Sequence, residues 1–162
     1  MIIGSIKEDL KIERRVSITP ESAKNILGLG LQVYIEKNYA IHLGIPDDEY
    51  SKIGVEIKNS SDEVLNSSKA IVKVNCPSES QINTLKENTI LIGMFNPTKN
   101  KNLINKIIEK KIKIFSLEML PRITRAQSMD VLSSQSNLAG YRAVVDCVAE
   151  FEKAVPMMMT AA

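Results

Sequence analysis

Aromatic side chains are scarce in this 162-residue chain, which has four Tyr, three Phe and no Trp. Basic residues number 21 against 19 acidic ones, and the short run of Lys110, Lys111 and Lys113 is offset by interspersed acids. With neither a basic stripe nor stacking residues, nucleic-acid binding is disfavoured. The two cysteines, Cys76 and Cys147, form no CxxC pattern, which excludes a zinc ribbon or disulfide framework. They are expected to be buried small hydrophobes in a reducing cytosol. The one histidine, His42, has no second ligand or nucleophile beside it and is expected in a loop. Ser133, Ser134 and Ser136 have no histidine within a nucleophile motif, so hydrolase chemistry is unsupported. No apolar run approaches the ~18 residues needed to span a bilayer, and the start MIIGSIKEDL lacks the pattern of a secretory signal. Finally, no GxGxxG stands between a strand and a helix, so the usual pyrophosphate cradle is missing. The GLGL at Gly28–Leu31 follows a helical pattern and precedes a strand, which makes it a helix stop.

What is present is an ordinary globular composition, 44% hydrophobic and 25% charged, on a length that suits one compact domain. Short apolar runs alternate with helical patterns. Strands are expected at Ile2–Ile6, Leu31–Ile35, Val55–Ile57, Ala70–Val74, Thr89–Met94 and Ile112–Leu117. Between them lie helix signals: Thr19 as N-cap before Pro20, Pro46–Glu49, Ser60 three residues before Glu63, Ser78–Leu85, and Lys101–Glu109 after the turn at Asn96-Pro97-Thr98. A long helix is expected from near Arg125, with enough pattern to reach Lys153 and with Val144, Val145, Val148 and Phe151 on one side. Strands separated by helices predict an α/β fold: an open, doubly wound parallel (Rossmann/flavodoxin-like) sheet with crossover helices and a long C-terminal helix, ligands sitting at the carboxyl ends of the strands.

The most informative stretch is PRITRAQSMDVLSSQSNLAGYRAV, Pro121–Val144. Arg122, Gln127, Asp130 and Ser133 bring a fork-shaped donor, an amide, a carboxylate and a hydroxyl where a surface helix normally carries Lys and Glu. From Gln127 they recur at i, i+3 and i+6 and would share one helical face. Such a face can hold an amide or a sugar hydroxyl by hydrogen bonds in both directions. A capped, solvated helix start is the plainer alternative. Gly140, inside the long helix, costs roughly 1 kcal/mol relative to Ala, which suggests close approach of another backbone.

This segment closely resembles the nicotinamide-site segment of proton-translocating NAD(P) transhydrogenases, in their NAD(H)-binding alpha subunit. The run SMDVLSSQSNLAGYRAV and the PMMMTAA of Pro156–Ala162 continue the likeness, and IKEDLKIERRVSITPESAKNILGLG is similar to a signature shared with alanine dehydrogenases. The resemblance implies that Arg122, Asp130 and Ser133 contact the nicotinamide portion of NAD(H). Gln127 would lie between that nucleotide and an NADP(H)-binding partner domain. It implies residues 1–120 as an N-terminal α/β domain, 121–155 as the nicotinamide-site loop with its linking helix, and 156–162 as the start of an absent dinucleotide-binding domain. A homodimer is implied too, cytoplasmic and attached to the inner membrane through a membrane-domain partner. This sequence would be the N-terminal half of a longer subunit, with Met157–Met159 packing at the domain junction.

Hydride transfer between two nicotinamides moves no proton at the reacting carbons, so the residues need to position rather than titrate. Oxidative deamination by alanine dehydrogenase does move protons. Arg15 and Lys73 match substrate-binding positions of those enzymes, but transhydrogenase relatives keep them as well. The catalytic histidine of those enzymes follows the strand matching Ile90–Phe95, and here that position is Asn96, which cannot shuttle a proton near neutral pH. The competing readings are thus half of an alanine dehydrogenase-like enzyme, which Asn96 argues against, and a folded but non-catalytic module.

Overall fold

The computed structural model describes residues 1–153 and divides after Met119 into two units. The first contains a six-stranded sheet: β1 (Ile2–Ser5), β2 (Gln32–Glu36), β3 (Glu56–Lys58), β4 (Ala70–Val72), β5 (Ile90–Gly93) and β6 (Lys113–Ser116). The strands are all parallel, in the order β3-β2-β1-β4-β5-β6. Chain order thus runs outward in both directions from the β1–β4 junction, the arrangement of a doubly wound dinucleotide-type sheet.

Local chemistry explains the crossover helices. In α1 (Pro20–Gly28) Thr19 accepts a hydrogen bond from the Ser22 N–H at 3.2 Å, Pro20 is pre-set for the first turn, and Gly30 closes the exit at φ +76°. In α2 (Asp47–Lys52) the first turn carries Asp47, Asp48 and Glu49, favourable to the helix dipole. Ser60 caps α3 (Ser61–Ser67), while α4 (Glu79–Thr84) has a full capping box between Ser78 and Gln81. The Lys110 ammonium, just past α5 (Lys101–Glu109), donates to the carbonyls of Ile82, Asn83 and Leu85 at the end of α4. Its three protons thereby meet three carbonyls at the helix end, of which that of Ile82 also accepts from the Leu85 N–H.

Two apolar clusters flank the sheet. One joins Ile71 and Leu91 to Val64, Ile82, Phe95 and Ile107, and the other joins Val33 and Ile35 to Ala23, Tyr39, Tyr50 and Val55. Successive strand residues serve opposite clusters, as Ile71 and its neighbour Val72 do, which is the period-2 rule of a sheet covered on both sides. Tyr39 ties the loop before α1 to the sheet. Ser5 Oγ gives its proton to the Val72 carbonyl at 2.8 Å, so the Tyr39 hydroxyl donates to Ser5 Oγ at 2.7 Å and accepts from the N–H groups of Ser17 and Ile18. Gly93 is obligatory at the end of β5, because a Cβ there would collide with the Lys73 carbonyl oxygen.

The second unit begins at Leu120. A short 3-10 stretch (Thr124–Met129) leads into α6 (Val131–Glu150), a 20-residue helix with no buried residue. The long helix therefore starts about two turns later than the pattern predicts. Asp130 turns its carboxylate onto the Ser133 amide and takes a non-helical conformation at φ −75°, ψ 88°, the capping geometry that interrupts a helix rather than continuing it. At the other end Phe151 is the C-cap and lies outside the helix. The PMMMTAA run and the junction role expected for Met157–Met159 fall outside the described residues.

Candidate functional site

Residues Pro121–Asp130 form a tight loop. Ile123 N–H donates to the Pro121 carbonyl at 2.9 Å, Ala126 N–H to Ile123 at 2.9 Å, and Asp130 N–H to Gln127 at 3.3 Å. Ala126 is the buried residue of this turn. Around it opens a cleft of about 260 Å³ lined by Arg122, Ile123, Thr124, Ala126, Gln127 and Asp130. Three of the four site residues expected from sequence are brought together here. The basis differs from the one expected: the 3-10 turn, with three residues per turn, sets Gln127 three positions ahead of Asp130 on one side of the loop, and no continuous α-helical face runs through Ser133. Ser133 reaches the cleft only through Asp130. Its N–H donates to Asp130 Oδ1 at 3.0 Å and its hydroxyl to Oδ2 at 2.6 Å.

These two bonds, hydroxyl first, hold the Asp130 carboxyl below the usual aspartate range, and the Arg122 guanidinium adds a smaller electrostatic pull. At neutral pH the loop thus presents a fixed anion, an exposed guanidinium and an amide. Together they can donate to and accept from a planar group bearing both functions.

A second cleft, of about 430 Å³, lies within the first unit where β1, β4 and β5 end, at the reversal of strand order. Lys73 stands there just past β4, buried at 4% exposure, with its ammonium 3.3 Å from Glu8 Oε2. Glu8 Oε1 accepts from the Val74 N–H at 2.7 Å. Sequence reasoning singles out Lys73 and misses Glu8, although a buried ammonium demands a carboxylate and the KED run after β1 offers one. Arg15 is paired with Glu13 at 2.6 Å and is half-exposed. Asn96 lines this cleft in a left-handed conformation at φ +44°, its N–H donating to Glu118. His42 lies in a one-turn 3-10 helix, Ile41–Leu43, with Nε2 2.7 Å from the Arg14 carbonyl.

The cysteines differ from expectation. Cys147 is exposed on α6 and Cys76 is only half-buried on the second cleft. Burial still pushes the Cys76 thiol up to about 11, leaving it protonated and unreactive at neutral pH. Apart from the backbone of its own helix, nothing lies within 4 Å of a Cβ built on Gly140, so within the described residues that glycine meets no neighbouring backbone.

Comparison with known proteins decides the family. The family model of the alanine dehydrogenase/PNT N-terminal domain matches residues 4–139. The chain belongs to this family. Over its whole length it is 40% identical to the first part of the NAD(P) transhydrogenase alpha subunit of Rhodospirillum rubrum, covering 44% of that protein. A solved transhydrogenase structure from Sinorhizobium meliloti superposes on 99% of the chain with a TM-score of 0.90 and 39% identity, covering 48% of that chain. An alanine dehydrogenase of Methanococcus maripaludis is more distant, at 33% identity over 86% of this chain, which covers 37% of that protein. The chain therefore corresponds to the N-terminal part of a transhydrogenase alpha subunit and spans less than half the length of these relatives. None of the helices in the described residues is long and apolar enough to cross a membrane.

Proposed function

We propose that this chain supplies the nicotinamide-gripping part of an NAD(H)-binding subunit in a proton-translocating NAD(P) transhydrogenase. The observation that carries this reading is the convergence of Arg122, Gln127 and Asp130 on one small open cleft. Their chemistry fits the nicotinamide end of NAD(H) and not its middle. Guanidinium and amide can donate to a carboxamide oxygen or a ribose hydroxyl, and the carboxylate can accept from the carboxamide nitrogen. For the pyrophosphate, the sequence offers no glycine fingerprint. That task falls to a dinucleotide-binding domain of the working subunit, separate from the N-terminal α/β domain and from the loop and helix that follow it.

The bound nucleotide supplies a hydride at its ring carbon; everything asked of this chain is placement. Arg122 and Asp130 would hold the ring's carboxamide, and Gln127 would face the NADP(H) of a partner domain. Neither Arg122 nor Asp130 is required to gain or lose a proton, which suits a carboxylate held well below neutral pH. Proton movement belongs to a membrane domain, and the working subunit is a homodimer at the cytoplasmic side of that membrane. Alanine dehydrogenation is the weaker reading, since Asn96, at the position expected to hold a proton shuttle, lines the cleft without a titratable group.

The test is hydride transfer from NADH to NADP+ by the assembled enzyme, alongside alanine-dependent NADH production. The expected result is transfer that falls at least about tenfold in Arg122→Ala, by removal of a positioning contact. Robust alanine turnover would overturn it.

A further inference from the structure

Past Gly93 the chain leaves β5, and the N–H groups of Phe95 and Asn96 lie beyond the ladder, whose last pair is Gly93 with Ser116. Side chains at the end of β6 take them instead. Ser116 Oγ accepts from the Phe95 N–H at 3.4 Å and gives its own proton to Glu118 Oε1 at 2.8 Å. The same carboxylate oxygen accepts the Asn96 N–H. Glu118 stands in the one-turn 3-10 helix Leu117–Met119, so its carboxylate ties the last turn of the first unit to the exit of β5. That charge-assisted bond helps hold Asn96 at φ +44°, a left-handed conformation that a residue with a side chain adopts at a cost. The other oxygen, Oε2, is buried and has no hydrogen-bond partner among the described residues. Burying a carboxylate oxygen in this way costs stability, so stability alone does not account for a glutamate here.

Only Leu120 and Pro121 separate this anchored turn from Arg122. Proline fixes its own φ and restricts the residue before it, and the Pro121 carbonyl accepts from the Ile123 N–H at 2.9 Å. The link from anchor to guanidinium is therefore short and stiff. We infer that Glu118 is a positioning residue for hydride transfer, which pins the point where the chain leaves the sheet and thereby sets where Arg122 stands. This rests on the nicotinamide-gripping role proposed for the Arg122 cleft and adds to it a group that touches no nucleotide.

Position is read first, without nucleotide, as a spin-label distance between Lys101→Cys on α5 and Ser128→Cys in the loop, with Cys76→Ala and Cys147→Ser as background. The chain with Glu118 intact is expected to give a narrow distribution and Glu118→Ala a broad one. Glu118→Gln, which keeps an oxygen for the Ser116 and Asn96 donors, should stay narrow. Pro121→Gly leaves the anchor in place but softens the link, and should broaden the distribution too. A narrow distribution in Glu118→Ala, or a broad one with Glu118 intact, overturns the inference; should Glu118→Ala fail to fold by circular dichroism, a narrow distribution in Pro121→Gly does so. The second reading is hydride transfer from NADH to NADP+ by the assembled enzyme. Glu118→Ala should lower kcat at least about tenfold by displacing Arg122, with a smaller change in the KM for NADH, and Glu118→Gln should retain most of the rate. Equal losses in the two variants would mean that the charge itself is used, and the inference fails. An assembled natural enzyme that transfers no hydride would defeat the proposed function instead, while the spin-label distances still decide whether Glu118 fixes the loop.

Discussion

Asp130 does two things with one carboxylate: it caps α6 and it lines the cleft. Asp130→Asn keeps an oxygen for the Ser133 amide and removes the charge. It is expected to lower the hydride-transfer rate of the assembled enzyme more than it lowers NADH affinity, as single-turnover kinetics beside equilibrium titration would show; an unchanged rate removes Asp130 from the site. The pH dependence follows from the downward shift of this carboxyl. Its stabilising bonds to Ser133 are fully present above the unfolded-state pKa and are lost as pH falls through the lower folded value. Hydrogen exchange at the Ser133 amide should therefore stay slow at a pH where an ordinary aspartate is half protonated, and quicken only in more acid solution. The buried pair of Lys73 and Glu8 carries a different consequence. Glu8→Gln strands an ammonium at 4% exposure and is expected to cost about 3–5 kcal/mol in denaturant unfolding, whereas Glu8→Leu with Lys73→Met costs less, because both charges leave together. Lys73 is readable from sequence as a charge needing a partner, but which carboxylate answers it depends on two strands that are neighbours only in the folded sheet. No local pattern contains that pairing.

At the scale of elements, the local signals serve where local chemistry decides. Thr19 with Pro20, Ser60 and Ser78 each start a helix where they stand in sequence, since a cap is a bond spanning two or three residues. Four of the six strands are shorter than their apolar runs and β2 and β3 are shifted by one residue, with Val74 and Met94 lying past the ends of β4 and β5, because hydrophobicity marks burial and not the ladder of hydrogen bonds. The end of the loop at 121–130 reads as helix in sequence for a related reason. Its residues suit a helical period, and only the backbone geometry of Asp130 reveals the break. α6 poses a separate question. Leu138, Tyr141, Val144, Val145 and Val148 are all exposed on it, and Gly140 has open space around it. Gly140→Ala should raise the stability of this helix in the chain by about 1 kcal/mol, measured by thermal unfolding. No gain would mean that the helix is not formed in the chain by itself.

For the molecule as a whole, the strand order β3-β2-β1-β4-β5-β6 places the chain among doubly wound sheets, and the alternation of strand and helix signals makes that class readable in advance. The proposed nicotinamide site is readable mainly through resemblance, since an arginine, an amide and a carboxylate on a loop carry no motif of their own. The chain spans 44% of its Rhodospirillum rubrum relative, and its sequence lacks the glycine fingerprint, so calorimetry with NADH on this polypeptide should show weak binding or none. The sharpest test of the nicotinamide-gripping role is a crystal structure of the assembled subunit with NADH bound. The nicotinamide carboxamide is expected within hydrogen-bond distance of Arg122 and Asp130; a ring seated instead in the cleft beside Lys73 and Asn96 would contradict that role.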